Sequence, residues 1–168
     1  MNAIAVPYKS QWDTDASRSK GDCGIVSVAM IAKWKGRDVS PDILLNMADL
    51  PGGRLTYTFS ELMKAGLVAG VPFKYVHPAD WSAIKLELQH GRPVIPLLDY
   101  EYLSGNQDVN FKGNHFWVVV GYDGDYVLVN DPDWWQPRRE EGHMRRIPLV
   151  EFEKAIGATG NQALFWVE

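Results

Sequence analysis

Two β-rich segments that flank the dipeptide Asp123-Gly124 constrain the fold of this chain more than any other stretch. One covers residues 115–122 and the other residues 126–130. Valine-rich runs on either side of an Asp-Gly pair are typical of a β-hairpin. The sequence therefore predicts an antiparallel sheet, in which residues at the open end of the hairpin come close together.

The length of the hairpin loop decides which residues face each other at that open end. A two-residue loop, Asp123-Gly124, places Asp131 opposite Phe116. A three-residue loop, Tyr122-Asp123-Gly124, fits a type I turn with a left-handed glycine and places His115 opposite Asp131. We prefer the three-residue loop. Facing residues have Cβ atoms about 5 Å apart, within reach of an imidazole–carboxylate hydrogen bond.

The rest of the chain shows helical patterns first and strand patterns later. Helices are predicted at residues 23–35, after Ser40 as N-cap, after Thr58 with Glu61 as a capping box, at 81–90 after Asp80, and at 149–156. Further strands are predicted at 71–76, 93–98, 144–148 and 162–167. This order predicts an α+β fold, with N-terminal helices packed on a C-terminal antiparallel β-sheet, in one domain over residues 1–168.

Composition and charge narrow the class of protein. The chain has 168 residues, 46% of them hydrophobic, and a net charge of −4. We therefore expect a globular monomer that binds neither nucleic acid nor a membrane. No signal peptide is visible and the longest apolar run is too short for a bilayer. We expect a protein that is cytoplasmic as synthesised, and released only if it is a lysis enzyme.

Cys23 is the only cysteine, which excludes an internal disulfide and a multi-cysteine metal site. It lies between a polar segment, residues 13–22, and an apolar one, residues 25–34. In the first turn of a helix, free backbone N–H groups and the positive dipole end favour a thiolate. A lone cysteine beside an apolar run is more often a small buried residue. The prediction of a nucleophile therefore depends on a base within reach.

His115 and Asp131 are the candidates for that base and for the group that orients it. A cysteine acyl-transfer enzyme needs a thiolate, a histidine that holds and then donates a proton, and an orienting group. We expect Asp131 to bond Nδ1 of His115, which leaves Nε2 facing Cys23. The backbone N–H of Cys23 and the side-chain amide of Gln11 would bind the oxyanion. Taken singly, His115 could be structural, Asp131 could start a turn and Gln11 could lie in an exposed loop.

Four motifs together resemble those of a known family. They are Val6-Pro7-Tyr8-Lys9-Ser10-Gln11, Gly21-Asp22-Cys23-Gly24, residues 113–123, and Val129-Asn130-Asp131-Pro132. They resemble the papain-like cysteine peptidases of the bacteriocin-leader-processing type, most closely their stand-alone, transporter-free relatives. The resemblance implies a papain-like fold and a peptidase in which Cys23 is the nucleophile, His115 the base, Asp131 the orienting group and Gln11 the oxyanion donor.

The first functional hypothesis is a hydrolase that cleaves a peptide or amide bond through a thioester on Cys23. Protein leaders and cell-wall peptides are both possible substrates, and the latter would fit a bacterial or phage lysis enzyme. A non-catalytic peptide-binding module on the same fold and a transglutaminase-like acyltransferase are the alternatives. We expect no cofactor and no metal. Calcium at the oxygen-rich residues 13–15 or 99–110 is a weaker hypothesis than a solvated loop.

Two further clusters allow two interpretations each. Arg138, Arg139, Arg145 and Arg146 are interspersed with Glu140 and Glu141. This pattern favours a solvated face whose charges compensate each other over a binding surface. The pair Trp134-Trp135 could wall the cleft and shield the imidazole–carboxylate bond from water, or could belong to the core.

Overall fold

The structure is a computed structural model that describes residues 1–13 and 21–168. Its helices are α1 (Cys23–Trp34), α2 (Pro41–Met47), α3 (Phe59–Val68), α4 (Trp81–Gln89) and α5 (Leu149–Ala158). Its strands are β1 (Asn2–Ala3), β2 (Phe73–Val76), β3 (Val94–Asp99), β4 (Asn114–Phe116), β5 (Val118–Asp123), β6 (Tyr126–Asn130), β7 (Arg145–Pro148) and β8 (Gln162–Trp166). Short 3₁₀ turns occur at Tyr100–Tyr102 and Arg139–Gly142. No helix in the described ranges is long and apolar enough to cross a membrane.

All eight of these strands join in one antiparallel sheet. Its main path runs β2-β8-β3-β5-β6-β7, while β1 pairs with β5 and β4 pairs with β3. Helices precede most of the strands along the chain, so the predicted α+β class is confirmed.

The sheet has a hydrophobic core on each face. Alternation along β5 divides the residues between the two, since Val118 and Val120 enter one core and Val119 enters the other. The first core receives α1, α2 and α3, and α1 is buried through its first ten residues. The N-terminal helices therefore pack on the sheet as predicted. Helices α4 and α5 cover the opposite face, which the sequence pattern had not assigned.

Capping residues start the helices where the sequence predicted. The N–H of Ile43 donates to Ser40 Oγ at 3.3 Å, and the N–H of Ala83 donates to Asp80 Oδ1 at 3.0 Å. Thr58 forms the predicted reciprocal capping box with the N3 glutamate. Each side chain satisfies a backbone donor that the helix itself cannot pair, which fixes the first turn.

The hairpin between β5 and β6 forms, but through neither of the predicted loops. Asp123 pairs with Tyr126, so the loop residues are Gly124 and the residue that follows it. A register shift between Val119 and Gly121 then changes the pairing farther along the strands. The predicted pairing of His115 with Asp131 is wrong, because His115 lies on β4 and pairs with a residue of β3.

The register shift lies where a third strand approaches β5. The N-terminal strand β1 pairs with β5 through Ala3 and Gly121. A Cβ atom on Gly121 would lie 2.1 Å from the carbonyl oxygen of Asn2, so only glycine allows this close approach. The N–H of Ile4 also donates to the carbonyl of Val120, the residue within the shift, at 2.7 Å. This contact comes from the opposite end of the sequence, and the local hairpin pattern could not reveal it.

Candidate active site

Cys23 is the first residue of α1 and is buried, which confirms its predicted place in the first helical turn. The backbone N–H of Phe116, in β4, points to the Cys23 sulfur at a distance of 3.5 Å. The N-terminus of α1 therefore meets β4 directly beside His115. The sulfur thus belongs to the end of α1 that carries the free backbone N–H groups and the positive end of the helix dipole.

His115 lies between Cys23 and Asp131 and hydrogen-bonds with both. Its Nε2 atom is 2.9 Å from Asp131 Oδ1, and the two side chains are 2% and 0% exposed. A second side-chain hydrogen bond joins His115 to Cys23. The structure thus brings together the three residues that the sequence predicted, by a geometry different from the predicted one.

The imidazole is oriented opposite to our prediction. Asp131 engages Nε2, which leaves Nδ1 for Cys23. The last paired residues of the hairpin are Val118 and Asn130, so Asp131 directly follows the end of β6, and its carboxylate reaches Nε2, the ring nitrogen farther from the His115 backbone. The Cys23 sulfur lies next to the backbone of β4, and Nδ1 is the ring nitrogen that Asp131 leaves available to it.

The surroundings of His115 favour its protonated form. Burial by itself would lower the pKa of His115, but the negative charges of Cys23 and Asp131 and the hydrogen bonds to both raise it to about 10. At neutral pH the ring is then protonated and lies beside the ionised carboxylate of Asp131. Such a ring stabilises a thiolate and holds the proton that a leaving amine requires.

Within the described ranges, Asp131 accepts hydrogen bonds from five donors. They are His115 Nε2, the backbone N–H of Asp133, Tyr100 Oη, Trp134 Nε1 and Arg145 Nη1. Burial would raise the pKa of Asp131, but the charge of His115, its hydrogen bond, the charge of Arg145 and the hydrogen bond from Tyr100 together hold it well below its usual range. The carboxylate is therefore ionised and fixed in orientation.

Tyr100 and Arg145 were not predicted from the sequence. Tyr100 Oη donates to Asp131 Oδ2 at 2.6 Å, and its ring lies edge-on to His115 with centroids 4.5 Å apart. Arg145 Nη1 lies 2.7 Å from the same oxygen, and its side chain is only 8% exposed. One signal was present in the sequence, since period-two alternation in β7 puts Arg145 on the same face as buried Ile147. We found no local signal for Tyr100.

The arginine cluster therefore divides into two groups. Arg138, Arg139 and Arg146 pair with Glu141, Asp13 and Asp123, as expected for a face whose charges compensate each other. Arg145 does not belong to that face, and the prediction is wrong for it. Trp134 donates to Asp131 at 3.1 Å, which supports the shielding interpretation of this residue.

The N-terminal segment lies against the chain that follows β6. Tyr8 Oη donates to the carbonyl of Asp131 at 2.9 Å, and the backbone N–H of Gln11 donates to the carbonyl of Pro132 at 2.9 Å. Gln11 is buried, so its interpretation as an exposed loop residue is wrong. These contacts bring two of the four motifs together and put Gln11 beside the segment of Asp131.

Within the described residues, no group of three or more His, Cys, Asp and Glu side chains could hold a metal ion. The hypothesis of calcium at residues 13–15 falls mostly outside the described ranges. Its described member, Asp13, pairs with Arg139 at 2.6 Å.

Comparison with known proteins gives a consistent family and fold. The sequence profile of the Peptidase_C39 like family matches residues 3–164. The uncharacterized protein YvpB of Bacillus subtilis (strain 168) is 24% identical over 189 residues, covering 89% of this chain and 70% of that protein.

Similar solved structures share the fold along nearly the whole chain. A Bacillus anthracis protein described as a C39-like peptidase has a TM-score of 0.71 at 19% identity, covering 100% of this chain and 98% of that one. The peptidase domain of Streptococcus ComA, a bifunctional ABC transporter, has a TM-score of 0.67 at 20% identity, covering 96% and 98%. A double-glycine-motif protease from an AMS/PCAT transporter, solved in complex with the leader peptide, has a TM-score of 0.64 at 20% identity, covering 99% and 95%.

Proposed function

The chain belongs to the Peptidase_C39 like family, and we propose that it is a cysteine peptidase that hydrolyses a peptide bond through a thioester on Cys23. One observation carries this proposal. His115 is buried, hydrogen-bonds with both Cys23 and Asp131, and has a pKa raised to about 10. A structural histidine does not need a sulfur on one nitrogen and an ionised carboxylate on the other, whereas a peptidase needs both.

In the proposed acylation step, the Cys23 sulfur attacks the carbonyl carbon of the scissile bond. A carbon–sulfur bond forms and the carbonyl oxygen becomes an oxyanion. The proton on His115 Nδ1 passes to the leaving nitrogen as the carbon–nitrogen bond breaks, and an amine departs. Water then gives a proton to His115 and attacks the thioester, which releases a carboxylic acid and restores the sulfur and the protonated ring.

Asp131 and Gln11 support these steps in different ways. The Asp131 carboxylate holds the ring through Nε2, so that Nδ1 keeps facing the sulfur in both steps. The backbone N–H of Cys23, at the start of α1, and the side-chain amide of Gln11 bind the oxyanion. Arg145 acts through Asp131 as a positioning residue, because it bonds the carboxylate oxygen that His115 does not use.

The proposed substrate is a peptide. The double-glycine-motif protease was solved in complex with the leader peptide, so a peptide can bind a protein with this fold. Protein leaders and cell-wall peptides are both compatible with the chemistry of Cys23, and the two are distinguished by which library is cleaved.

Selective alkylation tests the proposal without a known substrate. Because the chain has one cysteine, any thiol adduct of iodoacetamide must lie on Cys23, and peptide mapping assigns the adduct found by intact mass to this thiol. We expect the native protein to react at pH 7 at least ~10-fold faster than the same protein in denaturant, since a thiolate is the reactive form. His115→Gln should lose this advantage. His90→Gln, which changes an exposed histidine after α4, should keep it.

Turnover is the second readout. Digestion of peptide and muropeptide libraries should yield new carboxyl termini that disappear with Cys23→Ala. Release of amine adducts in place of new carboxyl termini, when a primary amine is added, would indicate an acyltransferase. Alkylation no faster than in denaturant, with no acyl adduct on Cys23, would contradict the enzyme and favour a peptide-binding module.

A further inference from the structure

The steps above do not use a pocket of about 410 Å³ whose lining is linked by hydrogen bonds to the segment of Asp131. Its lining consists of Trp12, Gln107, Asp108, Val109, Asn110 and Trp135. We call it the two-tryptophan pocket, because the rings of Trp12 and Trp135 meet edge to face with centroids 5.7 Å apart. Both tryptophans are half-buried, so each keeps ring surface that an incoming apolar group could cover.

The walls of the two-tryptophan pocket are joined to the catalytic residues by short connections. Trp12 follows Gln11 in sequence, and Trp12 Nε1 donates to Asp133 Oδ1 at 2.9 Å. The backbone N–H of Asp133 donates in turn to Asp131 Oδ1 at 3.1 Å, the oxygen that also binds His115. The pocket is therefore anchored to the orienting carboxylate through one intervening residue.

The opposite wall is held by one side chain. The Gln107 side chain forms two hydrogen bonds with the backbone of Trp135. Its Oε1 atom accepts the Trp135 N–H at 2.8 Å, and its Nε2 atom donates to the Trp135 carbonyl at 3.1 Å. The long polar loop between β3 and β4 is thereby fastened to the segment after β6. A wall that is already ordered favours selective binding, because no conformational entropy is lost in ordering it when a ligand binds.

The chemistry of the leaving group decides which part of a peptide lies near this pocket. The proton on His115 goes to the leaving nitrogen, so the departing part of the peptide must lie on the imidazole side of the Cys23 sulfur. The two-tryptophan pocket is attached to Asp131, which binds the far nitrogen of that ring. The hydrogen bonds that link the pocket to the imidazole therefore favour the side of the departing amine.

We propose that the two-tryptophan pocket binds an aromatic or large aliphatic side chain from the segment that follows the scissile bond. This inference rests on the proposed peptidase function and adds to it the class of residue selected on the leaving-group side. The indole rings of the pocket favour flat apolar side chains, because such a side chain can pack against the rings and both then have less apolar surface exposed to water. A volume of about 410 Å³ accommodates one such side chain.

The test is a cleavage-site profile of the full chain on a proteome-derived peptide library, read by mass spectrometry on both sides of each cleaved bond. The native protein should enrich Phe, Tyr, Trp or Leu within the first two residues after the bond. Trp135→Ala should reduce that enrichment by ~10-fold, since it removes a half-buried ring from the pocket wall and leaves the backbone bonds to Gln107 in place. The residue preference on the N-terminal side of the cleaved bond should be the same in the native protein and in Trp135→Ala.

Two further variants sharpen the profile. Tyr126→Ala is the matched control, because it removes a 40% exposed aromatic ring at the opposite end of β6 and should leave the native preference intact. Val109→Glu adds a negative charge at a 77% exposed position on the pocket wall, where the fold tolerates it. It should shift the preference after the bond toward Lys and Arg, and it serves as the decisive variant if Trp135→Ala does not fold.

The outcomes separate this inference from the proposed function. Cleavage by the native protein with no apolar enrichment after the bond would overturn the pocket assignment and leave the peptidase intact. The pocket assignment would also be overturned if both Trp135→Ala and Val109→Glu kept the apolar enrichment of the native protein. No cleavage of any library by the native protein, together with slow alkylation of Cys23, would overturn both.

Discussion

Arg145 offers the sharpest test of the way in which the proposed site is held together. Its Nη1 atom lies 2.7 Å from Asp131 Oδ2, and the two side chains are 8% and 0% exposed. Its Nη2 atom also donates to the carbonyl of Ser104 and to Asn106 Oδ1, each at 2.7 Å. One guanidinium therefore joins the orienting carboxylate to the loop between β3 and β4.

Arg145→Met removes the cation and leaves the buried carboxylate of Asp131. Breaking a buried ion pair by removal of one partner costs about 3–5 kcal/mol. For a chain of this length, about 1 kcal/mol corresponds to 2–4 °C in melting temperature, so a loss of ~10 °C is expected. Arg145→Lys keeps the charge but cannot span all three acceptors, and should recover only part of the loss.

The neighbouring residue provides the control. Arg146 pairs with Asp123 at the surface and is 51% exposed, so Arg146→Met should change the free energy of unfolding by only about 0–1 kcal/mol. Urea unfolding at pH 7 measures both variants under the same conditions, and the rate of Cys23 alkylation reports whether the ring is still oriented. If the two methionine variants were equally stable, our assignment of Arg145 to the orienting carboxylate would be refuted.

Three other predictions concern the same residues. Cys23→Ala should lower the pKa of His115 from about 10, because the sulfur contributes a charge and a hydrogen bond. NMR titration of the ring protons measures this pKa, and an unchanged value would contradict an ion pair between Cys23 and His115. Asp131 has a lowered pKa, so it contributes stability above the unfolded value of about 4 and loses that contribution below it. The difference in free energy of unfolding between the native protein and Asp131→Asn, measured with urea, should therefore become smaller from pH 6 to pH 3. A difference that grows over this range would show that the pKa of Asp131 is not lowered by folding. Gly142→Ala should cost about 1–3 kcal/mol by thermal unfolding, because its Cβ would lie 2.5 Å from the carbonyl oxygen of Asp131, whereas Gly157→Ala in α5 meets open space and should not destabilise.

The elements that depend on neighbouring residues were predictable. The N-caps Ser40, Thr58 and Asp80 lie within three residues of the backbone groups they satisfy, so their patterns are complete in a short window. The class of the fold followed from the order of these elements. Cys23 and His115 could be predicted as candidate catalytic residues because their chemistry is specific and because the four motifs occur in a distinctive order.

Features that depend on distant contacts were not predictable. The loop between β5 and β6 and the register shift at Gly121 differ from both predictions, and β1, from the other end of the sequence, joins β5 at that shift. The ring nitrogen that binds Asp131 was also outside the local pattern, because it depends on where the end of β6 lies relative to β4.

The sequence by itself determined which chemical groups are available and which segments become helices and strands, because those choices are made within a few residues of chain. Only the tertiary structure decided that Tyr100 and Arg145 hold the carboxylate of Asp131. These residues lie 31 and 14 positions from it and reach it from different parts of the chain. A buried charge requires several donors around it, and a sheet assembled from the whole chain brings those donors together.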